Sequence, residues 1–284
     1  MPSMTKETFN RLRDFIYEHS GIMFGDAKQY LLESRLSARL AELELDNYEQ
    51  YYMLLTTGPY RVDEQRTLFS RITINETSFF RNMPQLEAFE KLILPKLIEA
   101  RAATRRLSIW SAACSTGEEP LTLAILVHRV LGAQLRDWNV EVLGTDISER
   151  ALLKAQEGVY GAYATRSVPP LLLNQYFEGE GEEIRVIPEV RKLVRFDHQN
   201  LMDHAGARRR GTWDAIFCRN VLIYFDDTAR SSCFSLFHKQ LNPDGVLVLG
   251  HSEQVRSSEQ FVPRPEPGAF AYMRADAAEV RHAA

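Results

Sequence analysis

Chemistry in this chain is concentrated at the ends of strand-like runs. Ser111-Ala112-Ala113-Cys114-Ser115-Thr116-Gly117-Glu118-Glu119-Pro120 joins a strand-like run (Leu107, Ile109, Trp110) to a helix-like one (Leu121 to Leu131). In doubly wound sheets the turn after the first strand lets a ligand approach the backbone and the next helix's N-terminus, which requires small residues. Ala113, Ser115 and Gly117 supply them at alternate positions. The competing reading is a capped helix, with Ser115 and Glu118 as a capping box and Pro120 in the first turn. The usual glycine fingerprint is missing and no Gly-Lys-Ser/Thr loop occurs, which disfavours a Walker-type nucleotide site. A second run, Val140 to Thr145, ends in Asp146, where a ribose-binding carboxylate belongs in a Rossmann-like fold. Asp146 or Ser148 also fits as the cap of the following helix, Glu149 to Gly158.

The elements that position these residues follow from periodicity. From Thr5 to about Arg81 it is helical, with Phe9, Leu12 and Ile16 on one stripe and Leu32, Leu36, Leu40 and Leu43 on the next. An all-α domain over residues 1–82 is expected. Arg35 and Arg39 lie one turn apart and off the leucine stripe, with Lys28 nearby; they form either a solvated face or a surface that steers an acidic helical partner. A linker helix (Pro84 to Arg101) leads into alternating strands and helices, which predict a parallel sheet with right-handed crossovers over 83–284. About 160–195 interrupts that alternation with a short helix or loop and a small antiparallel hairpin. Leu193 to Phe196 and Trp213 to Cys218, leading into Arg219 to Phe225, read as strands three and four. A helix (Asp227 to Leu241), a strand (Val246 to Gly250) and a closing antiparallel pair (Phe261-Val262 and Phe270 to Tyr272) follow. The tail from Asp276 to Ala284 is expected to be disordered.

Composition narrows the function classes. The chain has 284 residues, 45% hydrophobic and 25% charged, with a formal net charge of -4. That balance suits a globular protein and argues against a dedicated nucleic-acid binder. Cys114, Cys218 and Cys233 form no CxxC pair, so neither a disulfide framework nor a zinc knuckle is expected. No apolar run approaches the roughly twenty residues of a membrane span. A soluble protein of a reducing cytosol is expected, and the sequon match at Asn75-Glu76-Thr77 reads as accidental.

Five stretches now form one pattern: Asn75-Glu76-Thr77-Ser78-Phe79-Phe80-Arg81, the Ser115 to Pro120 loop, Gly144-Thr145-Asp146, Cys218-Arg219-Asn220-Val221-Leu222-Ile223-Tyr224-Phe225, and Gly250-His251-Ser252-Glu253. Together, and in this order over nearly the whole chain, they resemble the bacterial chemotaxis receptor methyltransferases, the CheR family of protein-glutamate O-methyltransferases. The resemblance implies a Rossmann-like class I methyltransferase domain with a mostly parallel seven-stranded sheet, an N-terminal all-α domain and a small inserted antiparallel β-subdomain. It implies S-adenosylmethionine as cofactor, S-adenosylhomocysteine as product and no metal. The substrates it implies are side-chain glutamates on the cytoplasmic helices of chemoreceptors, with the enzyme recruited to membrane-bound receptor arrays.

Carried over to this sequence, the family's cofactor contacts fall on Asn75, Thr77, Arg81, Glu118, Asp146, Asn200, Leu201, Asn220 and Val221. Arg81 suits a methionine carboxylate, Glu118 its ammonium, Asp146 the ribose hydroxyls and Asn200 the adenine edge. Arg81 also reads as an ordinary surface arginine and Asn200 as a turn residue. A glutamate nucleophile ionises at about pH 4.3 and is already charged at neutral pH, so it needs no strong general base; alignment and water exclusion suffice. Tyr224, with Arg81, is the catalytic candidate for orienting that carboxylate; it reads equally as a packed aromatic at the tip of the fourth strand. His251 is read as structural. Arg35 and Arg39 are the receptor-facing candidates. Some members of the family dock a receptor C-terminal peptide on the inserted hairpin, but here Glu178, Glu180, Glu182 and Glu183 crowd that loop, and no stable pentapeptide docking is expected. The rival functions are a methyltransferase acting on RNA or a small molecule, and a non-catalytic cofactor-sensing module that binds receptors.

Overall fold

The computed structural model describes residues 3–255 and 259–277; the expected disordered tail falls outside it from residue 278 onward. Four helices open the chain: α1 (Lys6–Ser20), α2 (Gln29–Glu42), α3 (Tyr48–Thr57) and α4 (Arg61–Ile72). Phe9, Leu12, Ile16, Leu32 and Leu36 are fully buried and Leu40 is nearly so, so the two stripes do form one core. Thr5 and Asn47 cap α1 and α3 by accepting from the amides of Thr8 and Gln50.

Helical structure ends at Ile72, not near Arg81. Residues 73–80 instead run as an irregular strap whose polar groups are answered from elsewhere. Ser115 Oγ donates to the Asn75 carbonyl at 3.1 Å, Phe79 N–H to the Ala164 carbonyl at 2.9 Å, and Phe80 N–H to Thr122 Oγ1 at 3.2 Å. These distant partners replace the i−4 carbonyls a helix would have used. The linker helix is in two pieces, α5 (Met83–Ala88) and α6 (Leu94–Ala100), joined by a wider turn at Phe89–Ile93. Pro95 lacks an N–H and crowds the carbonyl four residues back, which accounts for the irregular turn.

The second region alternates β1 (Arg106–Ala112), α7 (Glu118–Leu131), β2 (Asn139–Asp146) and α8 (Glu149–Glu157). The insertion holds α9 (Ala162–Thr165), α10 (Pro170–Tyr176), the hairpin β3 (Phe177–Glu178) and β4 (Arg185–Val186), and α11 (Pro188–Arg191). Then come β5 (Val194–His198), α12 (His204–Arg208), β6 (Trp213–Cys218), α13 (Asp227–Gln240), β7 (Leu241–Leu249), β8 (Phe261–Pro263) and β9 (Ala271–Arg274). The seven-stranded sheet has the order β5-β2-β1-β6-β7-β9-β8, parallel through β7, with β9 antiparallel to β7 and β8 to β9.

Alternation builds the two layers around it. Leu107 and Ile109 of β1 face the core under α7, whereas Trp110 and Ala112 face the core under α13. Val246 and Val248 of β7 repeat the first choice, Leu247 and Leu249 the second. Trp213 breaks parity within β6 because the register with β7 shifts between Trp213 and Ala215. With both faces covered, the strand ends at the C-terminal edge are where a ligand crevice can open. No helix among the described residues is long and apolar enough to cross a membrane.

Candidate active site

The C-terminal ends of β1, β2, β5 and β6 border a cleft that opens to solvent at its mouth. The all-α region forms its other wall through Ser20, Ile22, Met23, Phe24, Leu31 and Arg35. Met23 N–H donates to the Tyr224 carbonyl at 3.1 Å, and Ile22 bridges Phe225, so the two regions meet at the Tyr224 end of the cleft.

The loop after β1 carries the close approach. Ala113 (φ 60°), Ser115 (φ 51°) and Gly117 (φ 95°) are all left-handed, the same alternate positions that carry small residues in the sequence. Only Gly117 tolerates this freely: a Cβ there would lie 2.8 Å from the Phe196 ring and 2.9 Å from Ala155 Cβ. The capping box does not form. Gly117 is the N-cap of α7 without a side-chain bond, and Ser115 Oγ holds the strap instead.

Asp146 ends β2 inside the cleft. Its Oδ2 accepts from Ser115 N–H and its Oδ1 from Ser148 N–H, each at 2.8 Å. Burial pushes its pKa up, opposed by the amides of Ser148 and Ser115 and by His198. The α8 cap is Ser148, whose Oγ accepts from Ala151 N–H, so Asp146 is left with lone pairs facing the cleft.

Asn75, Thr77, Arg81, Asn200, Leu201, Asn220, Val221 and Tyr224 also line the cleft. Arg81 is exposed, and its Nη1 donates to the Glu76 carbonyl at 3.0 Å. Leu201 is buried and Val221 half-buried, giving an apolar surface for a flat ring. Asn200 is less free than its sequence context suggests. Its amide nitrogen donates to the His19 carbonyl and its Oδ1 accepts from Met202 N–H at 2.9 Å, leaving one N–H and one lone pair. Tyr224 is not on a strand: β6 stops at Cys218, Asn220 is left-handed (φ 62°), and Leu222–Tyr224 is a 3-10 turn. Its orientation is therefore set by that turn rather than by strand alternation.

Three expected residues lie differently from their sequence reading. Glu118 lines not the main cleft but a second recess beyond the strap, with Thr116, Arg150 and Lys154, where it accepts from Thr116 Oγ1 at 2.7 Å. Burial pushes its pKa up. Its neighbour Glu119 does line the cleft, together with Asp146 and Glu76, and accepts from Ser111 Oγ at 2.8 Å and Arg219 Nη1 at 3.1 Å. Arg35 and Arg39 do not share a surface. Arg35 faces the cleft and donates to the Ile72 carbonyl, and burial pushes its pKa down against an opposing effect of Tyr224. Arg39 grips buried Glu64 through two nitrogens, at 3.0 and 2.5 Å, while Tyr51 Oη donates to the same carboxylate at 2.8 Å. That bidentate pairing makes Arg39 a brace between α2 and α4.

Sequence reasoning passed over Arg219 and Glu119. Buried Arg219 donates to Gln85 Oε1 at 2.9 Å, to Glu119, and to the Arg81 carbonyl at 2.6 Å, tying the strap to the β6 loop. The available signal was an arginine directly after the wholly apolar run Ala215 to Cys218.

A family model described as the CheR methyltransferase SAM binding domain matches residues 75–266, and one described as the CheR methyltransferase all-alpha domain matches residues 7–73. The chain belongs to the CheR methyltransferase family. It is 36% identical over 255 residues to chemotaxis protein methyltransferase 2 of Vibrio cholerae, spanning 89% of this chain and 87% of that protein. To the chemotaxis protein methyltransferase of Borreliella burgdorferi it is 34% identical over 264 residues, 91% and 92% of the two chains. To that of Escherichia coli it is 35% identical over 257 residues, 89% and 86%. This CheR-family chain is an S-adenosylmethionine-dependent methyltransferase, and its cleft fits that cofactor: a buried carboxylate with open lone pairs for a diol, an exposed arginine for a carboxylate, and apolar side chains for a base.

Proposed function

We propose that this CheR-family chain methylates glutamate side chains on the cytoplasmic helices of chemoreceptors, forming glutamyl methyl esters. The observation that carries the reading is the joint cleft, in which the all-α wall places Arg35 and Met23 against the loop that holds Tyr224. When bound, S-adenosylmethionine supplies a methyl group activated by its sulfonium.

The chain's own residues do the rest. Asp146 holds the ribose hydroxyls; Arg81 pairs with the methionine carboxylate; Asn200, Leu201, Asn220 and Val221 seat the adenine. The ammonium has two acidic neighbours, Glu118 behind the strap and Glu119 in the cleft, and the cleft geometry favours Glu119. Tyr224 orients the incoming carboxylate and Arg35 attracts it. Nucleophile and electrophile carry opposite charges that cancel as the new bond forms, so excluding water favours the transition state without a general base.

The hairpin is proposed not to tether receptor tails. Glu180, Glu182 and Glu183 lie in the connection between β3 and β4, where an acidic peptide would meet like charge. The demethylated product is expected to bind at least as tightly as the cofactor, and recruitment to receptor arrays follows from the receptor being the substrate. Transfer of tritiated methyl from the cofactor to receptor-containing membranes tests the reading. Base-labile release of methanol is expected; label in RNA, or no transfer despite cofactor binding, would overturn it.

A further inference from the structure

We infer that Glu253 is a positioning residue for the methyl transfer: its carboxylate is the internal anion that fixes the Asn220 to Tyr224 loop over the cleft. The inference rests on the methyltransferase reading above. Glu253 sits in the turn after β7, its N–H donating to the Gly250 carbonyl at 2.9 Å, and it is only 4% exposed. Its Oε2 accepts from the amides of Gly250 and Asn220, and its Oε1 from those of Val221 and Leu222, all at 2.8 Å. Four amides thus converge on one carboxylate, and no ion pair to it forms among the described residues. Three successive N–H groups aimed at one anion make a nest, and the left-handed Asn220 (φ 62°) turns them inward.

Space for this anion is built in. A Cβ on Gly250 would lie 2.6 Å from Glu253 Oε2 and 3.1 Å from Asn220 N. Meanwhile β7 holds its own place through ladders to β6 and β9, which do not use Glu253. The carboxylate's specific effect is therefore on the loop that carries Asn220, Val221 and Tyr224 into the cleft, two residues past the last amide it binds. Without it those amides lose their acceptor, and Tyr224 loses its fixed distance from the reacting atoms.

The test compares the full-length wild type with E253Q and E253D by amide hydrogen exchange without cofactor and by steady-state methylation of receptor membranes. E253Q replaces one oxygen with a donor facing donors, so exchange across 219–225 is expected to speed up while Trp213–Cys218 stays protected. kcat is expected to fall by about 100-fold, the order that an ångström-scale misplacement costs, and the KM for cofactor to rise with it, because the freed loop also carries Asn220 and Val221 of the adenine seat. E253D keeps the charge and is expected to recover part of kcat. Unchanged exchange across 219–225 in E253Q, or equal acceleration in Trp213–Cys218, would overturn the inference, as would wild-type turnover. If the wild type itself yields no base-labile methanol, the activity reading fails separately, and the exchange data still decide the role of Glu253.

Discussion

Replacing Asp146 by Asn separates a ribose-binding carboxylate from a merely structural one. In the wild type each carboxylate oxygen accepts one backbone N–H, from Ser115 and Ser148, at 2.8 Å. Asparagine keeps one acceptor and turns an NH2 toward the other amide, leaving a buried donor unsatisfied at a cost of about 1–3 kcal/mol. Removing a buried charge offsets part of this, because burial already raises the Asp146 pKa. The net loss of stability should be about 1 kcal/mol, a fall of roughly 2–4 °C in Tm for a protein of this size. Cofactor binding should suffer more: hydrogen bonds to a charged acceptor contribute about 1.5–3 kcal/mol, a roughly ten- to hundred-fold rise in Kd. Calorimetric titration with S-adenosylhomocysteine, beside a thermal melt, reads both quantities. A folded D146N with wild-type Kd would refute the ribose role and leave Asp146 as a tie between two backbone amides. The pH dependence adds a second check. The charged form is the stronger acceptor, so wild-type affinity should begin to fall on acidification above the ordinary aspartate range, about 3.9, and D146N should lose that dependence. The stability contribution has the opposite sense: with the folded pKa raised, the folded state binds the proton more tightly. That contribution favours folding at low pH and declines as pH rises from about 3.9 through the folded value.

R35E should slow receptor methylation while leaving S-adenosylhomocysteine binding near wild type, whereas R39E should lower stability by about 3 kcal/mol or more by leaving buried Glu64 beside a like charge; equal melting temperatures for the two would refute the brace. Arg264 and Lys96 hold the Glu266 pKa down from 4.5 to about 2. Its stabilisation should be present above about pH 4.5 and lost as pH falls through about 2, so wild type and E266Q should converge in acid melts. Calorimetry with receptor C-terminal pentapeptides should show no heat although receptors are methylated; micromolar binding would overturn the proposal for the hairpin.

Where local rules govern, the sequence already determined the outcome. Period-two alternation set which residues of β1 and β7 face each layer, and the 3.6-residue stripes set the cores of α1 and α2. Small residues at Ala113, Ser115 and Gly117 announced a loop built for close approach, but that all three are left-handed appears only in the fold. Partners of buried charges were a different matter. The same helix presents Arg35 and Arg39, and only the packing of α4 against α2 sends one to Glu64 and leaves the other in the cleft. Glu118 and Glu119 are adjacent and chemically alike, yet Arg219, a hundred residues away, is the partner of the second. Tyr224 looked like the tip of a strand because no neighbour in sequence reveals that Glu253 takes the amides of residues 220–222. Backbone periodicity is written residue by residue; which polar group meets which is fixed only when distant segments close around a site that excludes water, where each buried donor must find its acceptor.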